Sequence, residues 1–317
     1  MKNEKLVIGI SQIAPVYLNK DQTILKIIAE IDKAGSMGCE LVVFGEGILP
    51  GYPFWIELTD GARFNSEMQK NLFAYYFHQA IQTDTSDLKG ICAAALKNKT
   101  AVYLGCIEKA GDRGGHSLYC SLVYINQSGV ISSVHRKLVP TYEERLIWSN
   151  GDGKGLTVHS LGAFTVGGLN CWENWLPLAR TALYAQGENL HVSVWPGNVR
   201  NTENIARFIA KESRSYVIAA SGLLHKKDIN DSIPYFENIV TNAPDFLANG
   251  GSCVAGPDGN WVLEPVIERE ALLVTTLHLK EIIKERHNFD PSGHYSRPDV
   301  FQLKVNRTRQ TIIDFEE

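Results

Sequence analysis

The run Phe164-Thr165-Val166-Gly167-Gly168-Leu169-Asn170-Cys171-Trp172-Glu173-Asn174-Trp175 begins as an apolar strand and breaks at a cysteine. Leu176, Ala179 and Leu183 then fall along one side of a helix predicted over 176–186. Strand, sharp turn and helix make the repeating unit of an α/β fold, and the alternation continues on both sides. Toward the N-terminus it predicts a strand over 6–13 and a helix with Asp21 as N-cap and Ile24, Ile27, Ile28 and Ile31 on one face. Next comes a short strand, Leu41–Phe44, apolar throughout and so suited to burial on both faces. Helices over 66–82 and 86–97, a strand over 101–107 and a hairpin of 117–125 with 130–135 follow. Toward the C-terminus, strands 191–195 and 217–221 flank a helix over 202–215, a hairpin turns at Pro257-Asp258-Gly259-Asn260, and strand 271–279 precedes a short helix over 280–287. No linker or fixed-period repeat interrupts this, so one domain over 1–288 is expected, with 289–317 an irregular tail of strand-like pieces serving assembly.

Composition narrows the function. With 44% hydrophobic and 21% charged residues, the chain can bury a sizeable core without disulfide or metal staples. A net charge of -4, with no basic run among aromatics, excludes nucleic acid and anionic membrane as partners and leaves a small molecule. Met1-Lys2-Asn3-Glu4-Lys5 leads into an apolar run too short for a leader, and no stretch is long enough for a membrane span, so a cytoplasmic location is expected. The six cysteines are scattered, with no CxxC or Cys/His cluster of ligand spacing; no metal or organic cofactor is expected.

For any one of six cysteines a buried structural thiol is the commoner outcome. Cys171 stands apart because a strand-to-helix turn places a helix dipole and free backbone N–H groups beside it, which predicts a stabilised thiolate. No histidine lies close to it in sequence, so a base must come from elsewhere. Glu46, between Gly45 and Gly47 at the end of the apolar strand, is a candidate: partial burial would raise its pKa toward that of a general base. The charged segment His135 to Arg145 reads as a solvated turn by itself, but beside Glu46 and Cys171 it offers Lys137 as a cation to stabilise sulfur and developing negative charge.

Together the three segments resemble the nitrilase superfamily of carbon-nitrogen hydrolases, whose Glu, Lys and Cys occur in this chain order at strand ends. Phe44-Gly45-Glu46 with Pro50-Gly51-Tyr52-Pro53 resembles the glutamate motif, with Gly45 where proline is usual. Lys137-Leu138-Val139-Pro140-Thr141-Tyr142-Glu143-Glu144-Arg145 is similar to the lysine motif of true nitrilases, which implies Glu144 as a second acid. Cys171-Trp172-Glu173-Asn174, with Pro177-Leu178-Ala179-Arg180, and the tail segment Gly293 to Val300 resemble the same branch.

The resemblance implies a four-layer αββα sandwich that forms homodimers or larger homo-oligomers, and hydrolysis of an organic nitrile to acid and ammonia through a thioimidate and a thioester. An amidase or carbamoylase acting on an amide with the same cysteine, or a cyanide hydratase, is the alternative; a silent binding member of the fold would have lost one of the three residues. Tyr52, Trp55, Tyr142, Trp172, Trp195 and Pro196 are candidates to line an apolar substrate pocket, against the commoner role of such aromatics as core. For Asn170 and Glu173, capping the turn competes with a catalytic role; His294 and Arg297 are expected to anchor the tail or serve assembly rather than touch substrate. The loops 51–63 and 224–249, the second long and irregular, are expected to shape the pocket.

Overall fold

A computed structural model describes residues 4–84 and 86–313; residues 1–3, which the expectation of no leader includes, and 314–317 at the tail's end lie outside it. The first half runs β1 (Lys5–Gln12), α1 (Lys20–Ser36), β2 (Leu41–Phe44), α2 (Trp55–Leu58), α3 (Glu67–Gln79), α4 (Lys89–Asn98), β3 (Ala101–Lys109), β4 (Leu118–Ile125) and β5 (Ile131–Arg136). The second runs β6 (His159–Leu161), β7 (Phe164–Asn170), α5 (Pro177–Tyr184), β8 (Leu190–Trp195), α6 (Val199–Ser213), β9 (Tyr216–Ser221), β10 (Leu223–His225) and α7 (Phe236–Asn242). It closes with β11 (Phe246–Ala255), β12 (Trp261–Ile267), β13 (Ala271–His278) and α8 (Leu279–Asn288).

Two sheets form, one ordered β13-β1-β2-β3-β4-β5 and one ordered β10-β11-β9-β8-β7-β6, with β12 paired to β11. Alternation along the strands explains how they stack. Leu6, Ile8 and Ile10 of β1, Leu41 and Val43 of β2 and Tyr103 of β3 share one buried cluster with Val166 of β7, Val192 and Val194 of β8 and Ile218 of β9, so this apolar layer lies between the sheets. The opposite faces carry the other set: Val42 and Phe44 pack with Ile27 and Ile31 of α1 and Ile91 of α4, while Val217, Ala219 and Cys253 pack with Ile205 and Ile209 of α6. The result is helix, sheet, sheet, helix, the expected αββα sandwich. Each fully buried isoleucine of these layers stabilises the fold by about 1.5–3 kcal/mol.

Several local expectations change. The N-cap of α1 is Asn19, whose Oδ1 accepts the Gln22 N–H at 3.1 Å, and Asp21 sits in the first turn. The segment 224–249 is not irregular: it contributes β10 and α7 and buries Ile229, Ile233 and Ile239 in a cluster with Trp55, Leu72 and Tyr76. The tail has no strand among its described residues, since no sheet edge meets it and Phe301 stays 77% exposed. Its ties to the body include Ser292 Oγ donating to Tyr184 O at 2.8 Å, Arg309 Nη1 donating to Asp152 Oδ1 at 3.0 Å and Arg113 Nη2 donating to Gln310 Oε1 at 2.9 Å. Arg297, expected as an anchor, pairs with Asp299 inside the tail, and His294 packs on Tyr295.

Candidate active site

Glu46 follows β2, Lys137 follows β5 and Cys171 follows β7, so three strand C-termini from both sheets meet at one rim. Close backbone approach positions Glu46. A Cβ on Gly105 would lie 2.2 Å from Gly45 O, which only glycine permits, and a Cβ on Gly45 would meet Gly222 N at 3.0 Å and Trp195 O at 3.1 Å. Trp195 O accepts both the Glu46 and Gly222 N–H groups at 3.1 Å, which locks the turn to the second sheet. Glycine in place of the usual proline thus suits a turn pressed between two backbones.

Lys137 is completely buried, and its Nζ donates to Glu46 Oε1 at 2.9 Å and Glu144 Oε2 at 2.7 Å. Glu144 is held in turn by the Thr141 N–H at 2.6 Å and by the Tyr52 hydroxyl, which donates at 2.8 Å. Burial pushes the Glu46 carboxyl up to about 7; Lys137 opposes the shift and Glu144 adds to it. Burial opposes a charge on Lys137, yet Cys171, Glu46 and Glu144 around it hold its pKa well above the usual lysine value. Lys137 is therefore a fixed cation.

Cys171 adopts φ +48°, a left-handed conformation costly for a residue with a Cβ, so the turn around it holds it there. A 3-10 turn, Cys171–Trp175, separates it from α5, whose first residue is Pro177. The expected thiolate does not form at rest: burial, then the Glu46 and Glu144 carboxylates, raise the thiol well above its usual pKa, against Lys137 and the Trp172 N–H. Lys137 and the Trp172 N–H cannot outweigh the burial of the sulfur beside two carboxylates. A neutral thiol beside a carboxyl poised near neutrality is the arrangement for general-base activation.

Glu173 turns out to be structural glue. Its carboxylate accepts the Asn170 N–H at 2.9 Å, the Leu138 N–H at 2.6 Å and His135 Nε2 at 3.1 Å, tying the lysine segment to the cysteine turn. Burial would raise this carboxyl, but the His135 ring and the two N–H groups outweigh it and hold it below its usual value. Asn174 Nδ2 donates to Cys171 O at 2.8 Å, and its Oδ1 takes His191 Nε2 at 2.8 Å. Sequence reading passed over His135, Asn174 and His191. His135 carried a signal, because it lies in the charged run two residues before Lys137.

The aromatic candidates separate. Tyr52 is in the cluster and, with Glu46, Ile48, Phe54, Pro196 and Leu223, bounds a cavity of about 10 Å³. Tyr142 is not in it: at φ +41° it points outward and is 82% exposed. Trp172 is about half exposed. Trp195 and Trp55 are core, the Trp195 indole donating to Ser193 Oγ at 2.7 Å under α6, so Trp195 serves the site through its carbonyl. Glu46, Glu144 and Cys171 each place a ligand atom within 4.8 Å of the others, a trio able to ligate a cation. Lys137 already bridges the two carboxylates, so a divalent ion would have to share its position with that charge.

Comparison with known proteins gives the family and the fold. Residues 7–286 match the carbon-nitrogen hydrolase family model. The chain is 33% identical over 99% of its length to a nitrilase 2 from an unknown prokaryotic organism, covering 96% of that protein. It is 32% identical over 98% of its length to the aliphatic nitrilase of Rhodococcus rhodochrous, covering 82% of it. Among solved structures it superposes on the carbon-nitrogen hydrolase of Helicobacter pylori G27 with a TM-score of 0.67 at 19% identity, over 93% of this chain and 96% of that one. It also superposes on the C. elegans NitFhit protein with a TM-score of 0.71 at 18% identity, over 96% of this chain and 68% of that one. The chain belongs to the carbon-nitrogen hydrolase, or nitrilase, family.

Proposed function

We propose that the chain is a nitrilase that converts an organic nitrile to its carboxylic acid and ammonia, with Cys171 as nucleophile, Glu46 as general base and acid, and Lys137 and Glu144 as fixed charged partners. The observation that carries the reading is the buried cluster in which Lys137 touches Glu46 and Glu144 while the Cys171 thiol lies beside both carboxylates. The near-full-length likeness to proteins named nitrilases favours a nitrile over an amide.

Glu46 takes the Cys171 proton as sulfur attacks the nitrile carbon, then passes it to the nitrogen, giving a thioimidate. Lys137 and the Trp172 N–H stabilise the developing negative charge. Water deprotonated by Glu46 adds to the thioimidate carbon and ammonia leaves, which gives a thioester. A second water releases the acid and restores the thiol. Tyr52 orients Glu144 and borders the substrate's position. These steps are proton transfers and covalent catalysis by the chain's own side chains.

Ammonia release from a panel of aliphatic, aromatic and arylacetic nitriles, beside the matching amides, tests this. Turnover of nitriles is expected; turnover of amides alone replaces the reading with an amidase. Because Glu46 must be ionised and titrates at about 7, kcat/KM is expected to rise with pH through neutrality and level off above it. A rate flat from pH 5 to 8 would remove Glu46 as base.

Residues 1–288 form the hydrolase domain in this reading and 289–317 a tail that serves assembly. Trp172, Trp175, Leu176, Leu178 and Phe208 are exposed on α5, α6 and the turn before α5, which supports at least a homodimer through that face. Sedimentation of the full chain is expected to show a dimer or larger; a monomer at micromolar concentration removes this part. The six free cysteines support a reducing, cytoplasmic location, and no helix among the described residues is long and apolar enough to cross a membrane.

A further inference from the structure

Cys120 on β4 is a second thiol inside the cluster. Its Sγ lies 3.4 Å from Glu46 Oε1, and its carbonyl accepts the Lys137 N–H at 2.8 Å. The second contact follows from register: β4 and β5 are antiparallel with Ser121 opposite Arg136, which sets Cys120 across from Lys137. One residue thus contacts the base by its side chain and the cation by its backbone.

Glu46 Oε1 receives two donors, Lys137 Nζ and the Cys120 thiol, while Oε2 is buried without a partner. A carboxylate oxygen left unpaired in the interior costs free energy, and such exceptions in a folded chain call for an explanation. Proton transfer supplies one, since the oxygen that takes a proton must keep a lone pair free.

We propose that Cys120 is a positioning residue for the hydrolysis: by donating to Oε1 together with Lys137, it fixes the rotation of the Glu46 carboxylate so that Oε2 accepts the Cys171 proton. This rests on the assignment of Cys171 and Glu46 as nucleophile and base. In the step, the Cys171 S–H bond breaks, an O–H bond forms at Oε2, and the sulfur keeps the electron pair for attack. Cys120 keeps its own proton, because burial, and then Glu46, raise its pKa well above the usual thiol value. The titratable and charged groups that face Glu46 are Lys137 after β5, Glu144 in the turn beyond it, Cys171 after β7, Tyr52 in the loop after β2, and Cys120. Cys120 alone among them can be replaced without removing a charge, the nucleophile or the hydroxyl that holds Glu144.

The test compares Cys120→Val, which removes the donor at similar volume, with Cys120→Ser, which keeps one. Two pH profiles are read on the full chain: ammonia release from the best nitrile, and alkylation of Cys171 by iodoacetamide followed by peptide mass spectrometry, which needs no substrate. In Cys120→Val the acid limb of both profiles is expected to move up by about half a pH unit or more, because the carboxylate has lost a hydrogen bond to its ionised form. KM stays within about twofold, since Cys120 does not touch substrate. Cys120→Ser holds the limb near its wild-type position. Should Cys120→Val fail to fold, Cys120→Ala gives the same reading. A limb that stays in place when the donor is gone overturns the proposal and leaves Cys120 a packing residue. A limb that moves in alkylation while no nitrile is turned over keeps the proposal and removes only the nitrilase reading.

Discussion

The Cys171→Ala chain is expected to release no ammonia from any nitrile above background, a loss of about 10⁴-fold or more in kcat, because no covalent intermediate can form. Its fold should survive nearly unchanged. Alanine keeps the Cβ at φ +48°, so the turn's strain is neither relieved nor increased, and only one buried sulfur is lost. By the cost of deleting one small buried group, the change in unfolding free energy should stay within about 1.5 kcal/mol. Mass spectrometry of the wild type during turnover should show the acyl or imidate adduct on the peptide containing Cys171, and the alanine variant should lack it. Ammonia release by the variant at more than a few per cent of the wild-type rate would place the nucleophile elsewhere.

Lys137→Ala should fail in a different manner, losing both activity and stability. Removing the ammonium leaves the Glu46 and Glu144 carboxylates facing each other in the interior with no cation, a change of the kind that costs about 3–5 kcal/mol. The rate should fall on the order of 10³-fold, as the charge that stabilises the attacked nitrogen is gone. The stability loss has a sign in pH. Without Lys137, which opposes the upward shift at Glu46, that carboxyl titrates further above its unfolded value than it does in the wild type, so the folded variant holds an extra proton and the gap from wild type opens as pH rises past about 7. Urea unfolding at pH 5 and pH 8 should therefore show a larger gap from wild type at pH 8. A gap that shrinks with rising pH would contradict the pairing.

Much of this site was legible because strand ends can be read locally. Glu46 follows the apolar run Leu41–Phe44 where it stops at Gly45, Lys137 follows the second strand of a hairpin just ahead of Pro140, and Cys171 breaks the strand that starts at Phe164; the sandwich then fixes where those ends go. Glu144 came from likeness to a family motif, and its place against Lys137 at 2.7 Å fits that assignment. What local pattern missed depends on partners distant in sequence. The segment 224–249 looked irregular because α7 spans only Phe236–Asn242, and its burial against Trp55 and Tyr76 leaves no periodic trace. Trp195 lies at a strand end that α6 covers, and Tyr142 sits in a turn whose backbone directs it outward; neither direction is encoded in spacing. The thiol shifts opposite to expectation because its burial, and then the carboxylates beside it, outweigh the cation and the Trp172 N–H, and neither that burial nor those neighbours can be seen in local sequence.

The division of the site between the sheets has a consequence for how the molecule matures. The base and the cation, 91 residues apart, come from one sheet and the nucleophile from the other, so neither half of the sandwich holds a working reagent. Until the layers close, the cysteine is an ordinary thiol in water, with no carboxylate to take its proton. A nascent or partly unfolded copy thus has no general base at its cysteine, and the paired reagent exists only once the two sheets are in contact.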